Sequence, residues 1–403
     1  MTVVAAGALV LAAFNLRPAM ASVGPLLDQV QEGLAMNGTV AGLLLSVPPA
    51  CFAVFGMLTP ALLRRASPAA VLVVAMAMVA GGLVLRATAG DSAIFVLCSA
   101  TALAGIGIGN VVLPVAVKRY FPHRIGIMTG LYSMALTVGA AGAAAVAVPL
   151  TDRLGGSWRL GLGVWAIPAV AAAGAGLLLR ARRAPDPGAP AAAFAPVRSP
   201  LRNNRMVWAL SVFFGLQATG AYVTLGWMSQ ILRDAGVSPE RAGLLLALTP
   251  TVGIPLAFVM PTIATRMRHQ SALAAVLTAV ALPGYLGLWL APAATPWLWA
   301  ILLGVSQSTF PLALTMIGLR SGPDVTVARL SAFTQSVGYL ISIPGPIVVG
   351  ALYQHTSSWA LPLAFMIALL IPQVAAGAAA GRDHAALRPA SSSTRGPDAP
   401  RQS

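Results

Sequence analysis

Charged residues are scarce in this sequence, and acidic residues are the scarcest. Of 403 residues 9% are charged, and Lys and Arg outnumber Asp and Glu by 25 to 10. A soluble globular chain carries about 25% charged residues, so the composition excludes an ordinary soluble domain. With 58% hydrophobic residues and a mean hydropathy of +0.82, the chain is typical of a polytopic membrane protein.

Cysteine and histidine are also few. Cys51 and Cys98 both fall inside apolar runs, and the four histidines lie between the runs or in the tail. Neither the spacing of metal ligands nor that of a nucleophile and its base occurs. The sequence therefore predicts no disulfide framework, no metal site, no cofactor and no enzymatic activity.

Twelve apolar runs divide the chain, each near the length of about 20 residues that crosses a bilayer. The first six cover about residues 2–29, 39–63, 68–84, 92–117, 125–149 and 158–179. The second six cover about residues 206–232, 238–263, 271–290, 295–319, 330–354 and 358–379. This pattern predicts an all-α integral membrane protein with twelve transmembrane helices.

The cations alternate between the two sides of these runs. Nineteen Lys and Arg residues fall on one side, with Arg64, Arg65, Lys118 and Arg119 among them, and five fall on the other, including Arg86. Because basic loops remain in the cytoplasm, we expect a multi-pass protein of the inner (plasma) membrane with both termini cytoplasmic. The net charge of +15 thus reflects topology, and it predicts no nucleic-acid partner.

Two segments lack the apolar pattern. Residues 181–205 combine prolines with basic residues, which does not sustain a helix, and residues 381–403 are polar and without periodicity. We therefore predict an N-terminal six-helix bundle at residues 1–180, a cytoplasmic linker at 181–205, a C-terminal six-helix bundle at 206–380 and a disordered cytoplasmic tail at 381–403.

The two halves of the chain repeat each other. Four features recur at an offset of 201 residues: Ala41–Leu45 with Ala242–Leu246, Pro49 with Pro250, Pro60 with Pro261, and Arg65 with Arg266. Two parallel repeats of six spans around a central cavity form the architecture of major facilitator transporters. The repeat therefore predicts two pseudo-symmetric six-helix bundles with a substrate site near the middle of the membrane.

One cation interrupts the first apolar run. Arg17 follows Asn15 and Leu16, and it is the sole charge between Thr2 and Ala21. An arginine at that depth costs at least about 2.5 kcal/mol, so it should face a protein interior or a wet cavity. Its planar guanidinium matches carboxylate-like, planar or linear anions. No Asp or Glu lies deep in any run, so its partner is either the cargo or neutral groups of neighbouring helices.

Further polar side chains in the runs are candidates to line the substrate site with Arg17: Asn15, Asn110, Tyr132, Gln217, Gln335 and Tyr339. Gln335 and Tyr339 are four residues apart and share a helix face. For all of them, interhelical hydrogen bonding or packing is the alternative. After Ser342, residues 344–346 read Pro-Gly-Pro, which predicts a helix break that frees backbone carbonyls toward a cavity.

Several motifs carry a family resemblance. They are residues 15–18 with 22–27, 109–114, 117–119 with 121–122, 128–132 and 330–340. Together they resemble the cyanate/nitroimidazole (CynX/NimT) transporter family of the major facilitator superfamily. The resemblance implies a secondary active or facilitative transporter that moves a small anionic or polar solute, of the cyanate-like or nitro-heterocycle class, by alternating access.

The expected gating residues depart from the superfamily in one respect. Pro60 stands where the general motif after the second span usually has aspartate, and Arg64 and Arg65 follow. Lys118 and Arg119 are the equivalent basic pair after the fourth span. We expect these residues in gating loops, although Lys118 also suits a simple membrane anchor.

The lack of deep acids bears on coupling. Because no carboxylate or histidine lies at depth as a proton carrier, the sequence favours uniport, exchange, or symport of a cargo that brings its own proton; a coupling proton stays open. The expected partners are a small-molecule substrate and the bilayer, with the protein as a monomer. Two alternatives stay open: a multidrug or toxic-compound exporter in which Arg17 is structural, and a non-transporting membrane sensor or scaffold.

Overall fold

The computed structural model describes residues 2–181, 204–320 and 327–382, and this part of the chain folds into helices without a strand. The predicted linker (181–205) and tail (381–403) lie almost wholly outside the described residues. The division of the chain into four domains therefore stays a prediction.

The first half contains α1 (Thr2–Asn15), α2 (Pro18–Ala21), a 3₁₀ turn (Gly24–Leu26), α3 (Leu27–Gly33), α4 (Gly38–Arg65), α5 (Pro68–Ala87), α6 (Ser92–Tyr120), α7 (Ile125–Arg153), α8 (Trp158–Gly163) and α9 (Ala166–Ala181). The second half contains α10 (Arg205–Asp234), α11 (Pro239–Arg266), α12 (Ser271–Ala279), α13 (Ala281–Leu290), α14 (Pro296–Ser306), α15 (Thr309–Arg320), α16 (Val327–Ser342), α17 (Pro344–Thr356) and α18 (Ala360–Gly381). Among the described residues eleven helical stretches are long and apolar enough to cross a membrane, and α11, bent by 44°, makes a twelfth. The twelve-span prediction is confirmed.

The sequence repeat is visible in the helices. Helices α4 and α11 begin and end 201 residues apart, and both contain prolines at equivalent positions. In α11 the bend falls between Ala257 and Val259. Pro261 explains it, because its ring nitrogen has no hydrogen for the Ala257 carbonyl and its ring crowds that oxygen.

Several helices continue beyond the apolar runs. Pro60, Arg64 and Arg65, expected in a gating loop, all lie within α4, and Lys118 and Arg119 occupy the last turn of α6. The expectation of a loop at these residues was wrong. Basic side chains stabilise the negative end of a helix dipole, so a helix can run on past its last apolar residue.

Hydrophobic packing differs between the two ends of the molecule. At one end, named here the closed end, Leu27 and Val30 of the first half share a cluster with Trp227 and Ile231 of the second. At the other end, named the basic end because α4 and α6 finish there in Arg and Lys, the buried residues form separate clusters for each half. The halves are thus joined at the closed end.

Polar contacts between the halves also lie toward the closed end. Asp28 Oδ2 is 2.7 Å from Arg233 Nε, and Arg233 Nη1 donates to the Pro25 carbonyl at 2.9 Å. The hydroxyl and backbone N–H of Thr39 donate to Gln354 Oε1 at 2.8 and 2.9 Å. These contacts hold the 3₁₀ turn, α3 and the start of α4 against the second half.

Packing of α5 on α6 gives a test of this fold. A Cβ on Gly82 would lie 2.5 Å from the Ala102 backbone nitrogen, whereas a Cβ on the adjacent Gly81 would meet nothing within 4 Å. We predict that Gly82→Ala lowers the apparent Tm in detergent, because overpacking costs about 1–3 kcal/mol. Gly81→Ala is the matched control and should leave the apparent Tm unchanged or slightly raised. Equal behaviour of the two variants would contradict the described packing.

Candidate functional site

The first span breaks at Leu16 and Arg17. Helix α1 ends at Asn15, and Pro18 opens α2; because Pro18 has no N–H, it cannot donate to the Phe14 carbonyl. The Arg17 carbonyl accepts from the N–H groups of Met20 and Ala21 at 3.1 and 3.0 Å. Across this break Gly139 of α7 contacts the Phe14 carbonyl so closely that a Cβ would overlap it. The break therefore packs against α7, and it places Arg17 between α1 and α2.

The Arg17 side chain is partly buried. It makes neither a hydrogen bond nor an ion pair with any residue in the described part of the chain. Its charge lies near enough to the phenols of Tyr222 and Tyr339 to interact with both, and both tyrosines belong to the second half. Arg17 thus faces the boundary between the halves, with its donors free.

The eleventh span breaks where the Pro-Gly-Pro segment predicts it. Helix α16 ends at Ser342 and α17 begins at Pro344. The Ile343 carbonyl, which lies at the break, accepts from the Ser46 hydroxyl of α4 at 2.6 Å, and the Ser342 hydroxyl donates to the Tyr339 carbonyl at 2.8 Å. The hydrogen bond from Ser46 to Ile343 therefore joins α4 of the first half to the break in the second half.

Aromatic rings surround Tyr339. Its ring contacts Phe52 of the first half at 5.5 Å between centroids and Phe214 of the second half at 5.2 Å, both edge to face. Tyr339 was predicted at the site, whereas Phe52, Phe214 and Tyr222 were missed. The sequence signal for Tyr222 is weak, because a single tyrosine in an apolar span forms no helical pattern with other polar residues. The site thus consists of the Arg17 cation beside the rings of Phe52, Phe214 and Tyr339, named here the aromatic wall.

Asn15 and Asn110, both predicted to line the site with Arg17, have different surroundings. Asn15 is 2% exposed, and its Nδ2 donates to the Leu11 and Pro168 carbonyls at 2.8 and 3.0 Å. Both of its N–H groups are therefore used to hold α1 against α9. Asn110 is partly buried, next to Gly109, which packs on Leu16; it lies beside the break and makes no described hydrogen bond.

The remaining candidates fall into different surroundings. Gln335 lies one turn from Tyr339, and its Nε2 donates to Ser331 Oγ at 2.6 Å. Gln217 instead lines a small cavity inside the second half, with Thr278 and Gln373. Tyr132 is partly buried against the hydrophobic cluster of the first half. The structure brings Arg17 and Tyr339 together, and it does not bring Gln217 to them.

Arg86 requires a correction. Counted from the sequence among the cations between spans, it lies in the last turn of α5 and is 1% exposed. Its Nη1 donates to the Ala19 carbonyl at 2.9 Å. A fully buried guanidinium therefore lies next to the short helix that follows Arg17.

The described surroundings of Arg17 combine one cation with several aromatic rings. No group of three or more His, Cys, Asp or Glu side chains that could hold a metal occurs within the described ranges. A fixed cation at the boundary of two helical bundles can bind an anionic or strongly polar group. Such a site, in a twelve-span protein built from two repeats, defines a membrane transporter and not an enzyme.

The chain belongs to the Major Facilitator Superfamily, whose family profile matches residues 9–346. It is 36% identical over 375 residues to the "Uncharacterized transporter YycB" of Bacillus subtilis (strain 168), with 92% of each chain covered. It is 30% identical to the "2-nitroimidazole transporter" of Escherichia coli (strain K12), with 94% of this chain and 96% of that protein covered. It is 31% identical to the "Cyanate transport protein CynX" of the same strain, with 89% and 92% covered. The resemblance to the cyanate/nitroimidazole family is confirmed.

Solved structures with little sequence identity share the fold. A bacterial homologue of the human lysosomal transporter Spinster, in an inward-facing and occupied conformation, superposes with a TM-score of 0.78 at 17% identity, over 93% of this chain and 95% of that one. A variant of the nucleoside transporter NupG gives a TM-score of 0.74 at 13% identity, over 93% and 99%. These matches support the fold alone.

A substitution in α7 tests whether the helix break positions Arg17. We predict that Gly139→Ala slows transport, because its methyl group would push on the Phe14 carbonyl and shift the break that carries Arg17. Gly142→Ala on the same helix meets nothing within 4 Å and serves as the control. Initial uptake rates in proteoliposomes, normalised to reconstituted protein, provide the measurement. A Gly139→Ala rate equal to that of Gly142→Ala would show that the break does not position the site.

Proposed function

We propose that this protein moves a small anion or a compact polar solute across the membrane, with Arg17 as the cation that binds the cargo. The observation that carries the proposal is the state of Arg17: a guanidinium at a break in the first span, facing Tyr222 and Tyr339, with no carboxylate bound to it among the described residues. A charge in this setting needs a partner, and the cargo supplies it.

The position of the acids supports this assignment. Asp28, the acidic residue nearest to Arg17 in the first span, is 2.7 Å from Arg233 and is therefore occupied. Asp234, at the end of α10, accepts from Tyr353 Oη and Trp359 Nε1 at 2.8 Å each. These two carboxylates are engaged at the closed end and leave Arg17 for an incoming anion.

The aromatic wall favours a small, planar cargo. Tyr339 contacts Phe52 and Phe214 edge to face, at 5.5 and 5.2 Å between ring centroids, so aromatic faces and edges are available beside the cation. A linear anion such as cyanate, or a nitro group whose oxygens accept from a planar fork of N–H donors, suits such a site. The names of the cyanate and 2-nitroimidazole relatives support the same two classes.

Alternating access is the proposed cycle. In this structure the halves share a hydrophobic cluster and polar contacts at the closed end, and their clusters are separate at the basic end. Rocking of the two bundles about the central site would break the closed-end contacts and join the basic end. By the distribution of basic residues, we assign the basic end and both termini to the cytoplasm, and the protein to the inner membrane.

The cargo-binding role of Arg17 gives a direct prediction. Arg17→Gln should reduce uptake of the best cargo roughly 10- to 100-fold, since a hydrogen bond to a charged group is worth about 1.5–3 kcal/mol. The test is uptake into proteoliposomes of a panel of small anions and nitro-heterocycles by wild type and variant. Arg17→Lys keeps the charge but loses the planar fork, so it should recover part of the rate.

Arg159→Gln is the control, because Arg159 stacks 4.2 Å above the Trp158 ring and donates to the Ala89 carbonyl, away from Arg17. It should transport like wild type. Unchanged uptake by Arg17→Gln would refute the assignment. If nitro-heterocycles and unrelated toxic compounds moved equally well in that variant, the exporter with a structural Arg17 would be the better description.

A further inference from the structure

Arg86 is a charged side chain sealed inside the molecule. It is 1% exposed, and of its three nitrogens only Nη1 has a partner, the Ala19 carbonyl at 2.9 Å. Nε and Nη2 are buried without a hydrogen-bond partner. A guanidinium stays protonated in proteins, so two of its donating nitrogens and a full positive charge are uncompensated.

A cavity lies beside these free donors. Its volume is about 20 Å³, and it is lined by Arg86 and Ser99, by Ala19 and Met20 of α2, and by Tyr222 and Gly226 of α10. Ser99 is 1% exposed and its hydroxyl is likewise buried without a partner. The cavity thus joins two unpartnered donor groups, and it spans the boundary between the halves.

The size of the cavity and the charge of Arg86 together indicate what kind of molecule would bind there. A cavity of this size has room for about one water-sized species, and no Asp or Glu is among its lining residues. A lone water could accept from Arg86, but it would leave the charge uncompensated, and a buried charge without a counter-charge is strongly disfavoured. An anion of similar size satisfies both requirements.

We infer that Arg86 and Ser99 form a second anion-binding position, separate from Arg17, that holds a small monovalent inorganic anion. Ser99 would donate its hydroxyl hydrogen, and Arg86 the hydrogens on Nε and Nη2. Nothing in the established family membership assigns this position.

The second position lies close to the first one. Tyr222 lines the cavity and also feels the charge of Arg17, while Ala19, which accepts from Arg86, is two residues beyond Arg17. An anion that leaves Arg17 toward the closed end would meet Arg86 next. This last step rests on the proposed function; the existence of the site does not.

Anion-dependent stability tests the site in the full-length protein. A ligand that binds the folded state raises the unfolding midpoint. The Tm in detergent is therefore measured by tryptophan fluorescence while sodium chloride replaces sodium gluconate at constant ionic strength. The Arg17→Gln background removes the first position, and chloride should still raise the Tm there. Adding Arg86→Gln should weaken the apparent chloride affinity at least about tenfold, and adding Ser99→Ala a few-fold.

Arg159→Gln in the same background is the control and should leave the chloride response intact. If Arg86→Gln does not fold, Ser99→Ala, which removes one hydroxyl, decides the question. A chloride response that is absent in the Arg17→Gln background, or that is unchanged by Ser99→Ala and by Arg86→Gln, would overturn the inference. Uptake by Arg17→Gln tests the proposed function independently, so the two can fail separately.

Discussion

The constraint on which this structure depends is the placement of positive charge in a low-dielectric interior without acidic side chains to balance it. Arg17 and Arg86 both lie within spans, and neither has a carboxylate partner in the described part of the chain. Burying a charge in this way opposes folding. We propose that a transported anion offsets this cost at the place where the two halves meet.

The backbone is arranged around the same place. Prolines break the first span at Pro18 and the eleventh at Pro344, and both breaks are held by the neighbouring helix, Gly139 against Phe14 and Ser46 against Ile343. Irregular backbone at membrane depth is tolerated only where protein or a cavity satisfies it. The first break carries Arg17, and the second begins three residues after Tyr339.

Much of this architecture could be predicted from the sequence. The apolar runs match the spans within a few residues, and the offset of 201 residues reappears in the bounds of α4 and α11. The break after Ser342 followed from proline chemistry, and the partly buried position of Arg17 followed from the cost of exposing a charge to lipid. These features depend on residues close together in the chain or on a sequence repeat, so they can be predicted from the sequence.

The surroundings of the other polar residues depend on three-dimensional contacts that the sequence does not show. Arg86 looked like a loop cation because it follows an apolar run, yet α5 continues around it and α2 covers it. Asn15 looked like a cargo ligand, but its N–H groups reach the Pro168 carbonyl 153 residues away. Gln217 belongs to another cavity. Whether a polar side chain is free to bind cargo or already makes a hydrogen bond depends on its neighbours in space. The sequence alone does not show which residues those neighbours are.

The central claim is that the vacant partner of Arg17 is the carried anion. Selenocyanate is a heavy analogue of cyanate, and the anomalous signal of its selenium locates it directly in crystals of the protein. The account predicts a peak within about 4 Å of the Arg17 guanidinium, between the halves and beside Tyr339, that disappears in Arg17→Gln. Occupied crystals with no peak at Arg17, or a peak there that persists in the variant, would contradict it.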